Sequence, residues 1–471
     1  MPHAPPPHTY QPTSRREMLR HCCAGFGGVA LAGLLGEQAR AAGAAAPHFA
    51  PRAKRVIFLF MHGGPSSVDT FDYKPELQRM DGQPLPVDRP RVTFAKTGVL
   101  LKSPFKFRQH GESGAWVSEL FPHVAGVVDE LCMLKSVHGT NPAHGGALLA
   151  LHTGSTTFVR PSMGSWVLYG LGSENENLPG FVTICPTLGH GGVNNWSSGF
   201  LPAVNQGVPL GKANSPAGDV TLRDLHPALP ATRQRQQLDF IRRLNEQQLQ
   251  ATGPDRALEA RIQSFELAFR MQTQAPGALD LSQESKATTG RYGLDNKPTA
   301  HFARQCLLAR RLVERGVRFV QCTHSYKWDQ HANLEPVHRK NAMEVDQPIA
   351  ALIDDLKSRG LLDETLVLWG GEFGRTPTAQ NQGSRQKTGR DHNPEGFTMW
   401  MAGGGVKPGF SYGATDPWGY YAVEDRMHIH DLHATLLHLL GIDHTRLTYR
   451  YAGRDFRLTD VEGVVADKIL A

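Results

Sequence analysis

Val56-Ile-Phe-Leu-Phe-Met61 is an unbroken apolar run that ends in His62-Gly63-Gly64-Pro65. A strand with no polar face must be covered on both sides, so the run reads as a central strand of a parallel sheet opening into a tight turn. The same unit recurs downstream. Between Phe302 and Arg315 the apolar residues Phe302, Leu308, Ala309, Leu312 and Val313 keep helical spacing, Gly316 stops the helix, and 317–322 reads as the next strand. Residues 343–359, Gly360 and 365–369 repeat the pattern; 397–402 reads as a further strand and 430–440 as a helix closed by Gly441. Alternating helices and apolar strands predict an α/β fold whose largely parallel sheet is covered on both faces. Residues 233–275 read as a polar helix pair with Leu258, Ile262, Phe265 and Phe269 on one face. Residues 276–300 read as loop, and 154–220, rich in Gly, Pro, Asn and Ser, as extended surface loops framing a pocket.

Ligands of open parallel sheets bind beyond the carboxyl ends of the strands. His62, Asp69 and Asp72 follow the first strand. His324, Asp329 and His331 follow the second, in Thr323-His-Ser-Tyr-Lys-Trp-Asp-Gln-His331. Glu372 follows 365–369 in Gly370-Gly-Glu-Phe-Gly-Arg-Thr-Pro377, and His392 precedes 397–402 in Gly389-Arg-Asp-His-Asn-Pro394. Four separate segments thus deliver imidazoles and carboxylates to one sheet edge. Imidazole and carboxylate without thiolate suit Zn, Mn, Fe or another divalent ion and leave positions open for water or substrate. Asp329 and His331, two apart in an extended segment, leave the same face and can share one ion. Among 22 histidines some fall near acids by chance, and the convergence of four strand ends is what favours a metal. His430, His433 and His438 do not share a helix face and read as capping or packing groups. Gly403-Gly-Gly405 lacks the Lys-Ser/Thr of a phosphate loop and reads as a turn.

Taken in order, Phe58-Leu-Phe-Met-His-Gly-Gly-Pro-Ser66, Asp69-Thr-Phe-Asp72, Trp328-Asp-Gln-His331, Trp369-Gly-Gly-Glu-Phe-Gly-Arg-Thr-Pro377, Gly389-Arg-Asp-His-Asn-Pro394 and His430-Asp-Leu-His-Ala-Thr-Leu-Leu-His-Leu-Leu-Gly441 resemble the exported domain-of-unknown-function family 1501 over the whole mature chain. That family is similar to the alkaline phosphatase and sulfatase superfamily. The resemblance implies an alkaline phosphatase-like three-layer sandwich over residues 46–471, with loop and helical insertions near 154–300. It implies a divalent metal such as Zn, Mn or Ca, with Asp329, His331 and His392 as ligands of one site and Glu372, Asp69 and His62 around it. The superfamily's second-site imidazole has become Phe373. Where its members place a Ser, Thr or Cys nucleophile at a helix start, Thr140-Asn-Pro-Ala-His-Gly-Gly146 offers His144, with Asn141 just upstream, and no Cys or Arg completes a formylglycine motif. Arg375 and Arg390 are candidates for gripping a substrate anion. The expected activity is hydrolysis of phosphate or sulfate esters, sulfated or phosphorylated saccharides among them. The alternative is a catalytically degenerate protein that binds an anionic polysaccharide or a partner protein.

At the N-terminus Ser14, Arg15 and Arg16 stand before Met18, Leu19 and Arg20, then a short Gly- and Ala-rich apolar run and several small-residue cleavage points up to Ala46. Residues 1–45 read as a twin-arginine signal peptide. The expectations are engagement of the twin-arginine export machinery and a periplasmic or extracellular protein with no stable membrane span. Loss of four Arg and two Glu with this segment lowers the formal charge from +6 to +4. Dispersed Lys and Arg give no case for nucleic acid. Cys132, Cys185, Cys306 and Cys322 remain, able to pair in three ways or to stay free.

Overall fold

A computed structural model describes residues 46–87, 97–213, 220, 230–253, 255–380 and 388–471; the export signal read at 1–45 lies outside them. The quoted apolar run is β1 (Arg55–Met61). It is followed by β2 (Leu131–His138), β3 (Phe181–Ile184), β4 (Val208–Leu210), β5 (Phe319–His324), β6 (Thr365–Gly370), β7 (Phe397–Ala402), β8 (Phe410–Tyr412) and β9 (Met427–His428). These form one nine-stranded sheet in the order β8-β2-β7-β6-β1-β5-β3-β4, with β9 also on β2. β1 pairs in parallel with both β5 and β6, which explains its lack of a polar face. Only β7 runs against its neighbours β6 and β2. That reversal decides the site, because the segment ahead of β7 reaches the edge where its parallel neighbours end.

The longer helices are α1 (His144–Thr153), α2 (Met163–Leu171), α3 (Ala231–Thr252), α4 (Arg256–Leu279), α5 (Ala300–Glu314), α6 (Leu334–Ser358) and α7 (Ile429–Leu439). Successive β1 side chains point to opposite faces. Ile57, Leu59 and Met61 pack with Phe302, Leu308 and Leu312 of α5 and Val345, Ile349 and Ile353 of α6. Val56, Phe58 and Phe60 pack with Leu148 and Leu151 of α1, Trp166 of α2 and Leu432 and Leu436 of α7. Burying each such side chain contributes about 1.5–3 kcal/mol, and the outcome is a helix–sheet–helix sandwich. Trp328, Trp369 and Trp400 lie within the first of these cores.

Three expectations change. Residues 154–220 are not only loops, because α2, β3 and β4 lie there and extend the main sheet. Likewise 276–300 holds the end of α4, which continues through Pro276, and a further helix at Lys286–Tyr292. α6 begins at Leu334, nine residues before the start read from its periodicity. Cys132, Cys185, Cys306 and Cys322 are all free and buried. Among the described residues no helix is long and apolar enough to cross a membrane.

Candidate metal centre

The carboxyl edge of the sheet gathers side chains from five segments. His62 ends β1, His144 opens α1, Tyr326, Asp329 and His331 follow β5, Glu372 and Arg375 follow β6, and Asp391 and His392 precede β7. Glycines let these segments touch. A Cβ on Gly63, whose φ is +117°, would lie 2.7 Å from the Asp329 amide nitrogen, and one on Gly389 would lie 2.1 Å from the His331 carbonyl carbon.

Two ligand sets meet at His144, one of His62, His144 and Glu372 and one of His144, Asp329 and His392; His331, Asp391 and His392 form a third, overlapping triplet. His144 Nδ1 lies 2.6 Å from Glu372 Oε1, and its Nε2 lies 3.3 Å from Asp329 Oδ1. The same Asp329 oxygen has His331 Nε2 at 2.9 Å, His392 Nε2 at 3.1 Å and the Arg375 guanidinium at 2.6 Å. Four nitrogens around one carboxylate oxygen exceed what its lone pairs accept.

Tautomers sharpen the point. His392 Nδ1 sits 2.6 Å from the Pro142 carbonyl, which only accepts, so Nδ1 carries the hydrogen and Nε2 turns a lone pair toward Asp329. His331 Nδ1 meets Gln380 Oε1 at 2.5 Å, and the Asp329 oxygen 2.9 Å from its Nε2 raises this imidazole above its ordinary pKa, so that nitrogen is held where a proton or a cation is favoured. An imidazole anchored through one N–H on a carbonyl, with the other nitrogen left for an ion, is the usual arrangement of a metal ligand. His62 adds a second sign: it is fully buried and neither ring nitrogen has a hydrogen-bond partner. A buried imidazole left so is costly unless a ligand occupies the space it faces. The residues therefore fit one or two divalent cations with nitrogen and oxygen ligands.

Burial pulls His62 down to about 4, keeping it a neutral donor. Burial alone would raise the Glu372 carboxyl, but the hydrogen bond and charge of His144 hold it at about 2. Asp329 is likewise held far below the usual carboxylate range, against burial, by hydrogen bonds from His144 and His331 and by the Arg375 charge, and His144 and His331 are raised in return. Both carboxylates are thus ionised and ready to bind a cation.

Not every residue singled out from sequence points at this centre. Arg375 is fully buried and donates to the carbonyls of Gly63, Gly64, Trp328 and Arg390 as well as to Asp329, so it ties the loops together and has no face left for a substrate anion. Arg390 and Asp69, both fully buried, pair through Nε–Oδ2 at 2.7 Å and Nη2–Oδ1 at 3.1 Å. That pairing takes Arg390 from the anion and Asp69 from the metal, because each charge needs the other once water is gone. Asn141 accepts from the Ala143 amide at 2.8 Å, shaping the turn that starts α1. Phe373, at the place of the missing imidazole, stacks on His392 at 4.4 Å and packs on His144 at 4.9 Å. His62 and His144 instead supply the imidazoles beside Glu372.

Two rim residues were not legible from the sequence. Tyr326 is 46% exposed, its ring lies 4.8 Å from His62, and its hydroxyl donates to Asp329 Oδ2 at 3.2 Å. His190 stacks 5.0 Å from His144 and lies 5.0 Å from Tyr326. Both hold φ = 46°, an uncommon angle for residues with side chains. Periodicity carries no sign of such backbone; the Gly189 and Gly191-Gly192 flanking His190 are the one hint that the chain turns sharply there.

No curated protein matches the chain. Among solved structures it is similar to a sulfatase, PsFucS1, from Pseudoalteromonas sp., with 12% identity, 83% of this chain and 68% of that one covered, and a TM-score of 0.35. It is also similar to the lipoteichoic acid synthase LtaP from Listeria monocytogenes, with 10% identity, coverages of 87% and 76% and a TM-score of 0.38. A phosphonate monoester hydrolase from Silicibacter pomeroyi gives 12% identity, 68% coverage of each chain and a TM-score of 0.34. At these scores the likeness carries no reading of the chemistry, which rests on the residues above. Residues 53–470 match the family described as "Protein of unknown function (DUF1501)", and the chain belongs to that family.

Proposed function

We propose that the protein is a metal-dependent hydrolase of phosphate or sulfate esters, exported by the twin-arginine route and active in the periplasm or outside the cell. The observation that carries this reading is the pair of ligand sets sharing His144, with the orphaned nitrogens of His62 on one side and the anchored His392 on the other. Asp329, His331 and His392 hold one ion, and His62 and Glu372 a second, with His144 between them. A bound divalent ion polarises an ester oxygen and lowers the pKa of its water towards neutrality. The chain's own groups orient the rest. Arg375 fixes Asp329 from behind, Tyr326 braces its other oxygen, and exposed His190 stands where a proton can pass to solvent.

The test is metal analysis of the purified chain together with chromogenic phosphate and sulfate esters, on wild type and on His392→Ala. Hydrolysis that needs the ion and falls in the variant is expected. Absence of any bound ion, or hydrolysis unchanged after stripping, rules the reading out. One observation favours a second reading, a binder of anionic polysaccharide or of a partner protein: a histidine stands at position 144, and both candidate anion-gripping arginines are buried in pairs. Metal bound without turnover of any ester supports it.

A further inference from the structure

Two rings stand over the centre on backbone that residues with side chains seldom adopt. Tyr326 and His190 both hold φ = 46°, and His190 is followed by Gly191 and Gly192 at +97° and +55°, so three consecutive residues there are left-handed. Such backbone costs free energy and persists only where its surroundings enforce it. Here they do. The Asn195 side-chain amide donates to the His190 carbonyl at 3.3 Å, and a Cβ on Gly191 would lie 2.6 Å from Asn195 Oδ1, so the loop closes tightly on a buried side chain. Tyr326 is fixed by its neighbours, because the Lys327 and Trp328 amides both donate to the His62 carbonyl, at 3.1 and 3.2 Å.

Core packing does not account for either ring, since both are exposed. The Tyr326 ring meets those of His62, His144 and His190 at 4.8, 5.6 and 5.0 Å, and the His190 ring meets those of His62 and His144 at 5.7 and 5.0 Å. Each ring thus leans on the ligand imidazoles and still presents surface to solvent. Leu188 and Val193, two and three residues from His190, are 75% and 54% exposed. Neither side chain has a hydrogen-bonding atom, and apolar surface left in water beside a site gains free energy when something apolar covers it.

We infer that Tyr326 and His190 form the wall that receives the alcohol part of the ester, and that they select a substituent with a flat, apolar ring over a short alkyl group. The inference rests on the reading of the centre as an ester-hydrolysing site and names the part of the substrate which that reading leaves open. Metal-type ligands bear on the anion, which every phosphate or sulfate ester shares. Discrimination among esters has to come from groups beside them. Aromatic faces supply it by stacking, which adds to plain area burial and needs no hydrogen bond. A hydroxyl-rich substituent would lose water against Leu188 and Val193 and find no polar partner in either side chain.

The experiment is calorimetric titration of the Zn²⁺-loaded full chain with phenylphosphonate and methylphosphonate, which carry the same anion on a ring and on a methyl group and hold no ester bond to hydrolyse. Wild type is expected to bind the phenyl compound at least about tenfold more tightly. His190→Asn and Tyr326→Asn each remove a ring while keeping a residue that tolerates left-handed backbone, and each should lower that ratio to about threefold or less. Tyr326→Phe keeps the ring and should keep the ratio. Zn²⁺ content and thermal midpoints, read alongside, establish that the variants are folded and loaded. A wild-type ratio within about twofold, or a ratio unchanged in both asparagine variants, overturns the wall even where esters are hydrolysed in a metal-dependent way, so the two readings fail separately. Binding of neither phosphonate by the loaded chain also overturns it, and loss of Zn²⁺ from both asparagine variants overturns it in favour of a role in holding the ion.

Discussion

Replacing Asp69 by Asn tests whether the Asp69–Arg390 pair is scaffold or site. Asp69 Oδ2 accepts from Arg390 Nε at 2.7 Å and from Ser66 Oγ at 2.5 Å, Oδ1 accepts from Arg390 Nη2 at 3.1 Å, and neither side chain is exposed. Asn keeps the shape and one acceptor but removes the charge, leaving a guanidinium buried without a counter-ion. Breaking one half of such a pair costs about 3–5 kcal/mol, whereas replacing both halves by apolar groups is often neutral. Asp69→Asn should therefore lower the unfolding free energy by about that amount in urea titration, and Asp69→Leu with Arg390→Met should recover most of the loss. Metal content should match wild type throughout. A variant whose stability stays within about 1 kcal/mol of wild type but which loses a metal equivalent would make Asp69 a ligand and refute the assignment.

Three further outcomes are expected. His152, His324 and His338 are each depressed by burial from 6.5 to about 4. Their stabilisation is complete above pH 6.5 and is lost as pH falls towards 4, up to roughly 3 kcal/mol each; His338→Gln should flatten the acid limb of a plot of thermal midpoint against pH. Tyr326→Phe removes one hydrogen bond to Asp329, worth about 1 kcal/mol, so kcat/KM for a chromogenic ester should fall by roughly fivefold with metal content unchanged. Replacing Arg15 and Arg16 by Lys should leave the precursor in the cytoplasm, scored by cell fractionation; normal export would remove the twin-arginine assignment and leave the metal ligands untouched.

The sheet was legible where strands are long and wholly apolar, as in Val56–Met61 and Phe397–Ala402. It was hidden in β3 and β4. Phe181–Ile184 is only four residues long and sits in a Gly- and Pro-rich stretch, and β4 contains Pro209, a residue that argues against a strand except at an edge, where β4 lies. The metal-type residues followed from strand ends, so His62, Asp329, His331, Glu372 and His392 were named from sequence and lie together. The arginines were misdirected because Gly-Arg-Thr-Pro and Gly-Arg-Asp-His look alike whether the guanidinium faces solvent or the loop beneath it, and only the packed backbone carbonyls decide. His430 and His433, read as capping or packing groups, do cap, but on the end of α1 rather than on their own helix.

The reversed strand β7 also bears on how such centres diversify. Because β6 and β7 are antiparallel neighbours, Glu372, Arg375, Asp391 and His392 belong to one outsized hairpin that leaves and re-enters the sheet at adjacent positions. Much of the centre is thus a cassette, joined to the sheet by two strands and pinned to the loops after β1 and β5 by Arg375 and by the Arg390–Asp69 pair. Homologous cassettes exchanged at the β6 and β7 junctions would carry ligands and pocket wall together while the remaining strands keep their register. Selection, or a designer, can remodel specificity there without reopening the folding problem so long as the exchanged segment keeps the arginines at 375 and 390.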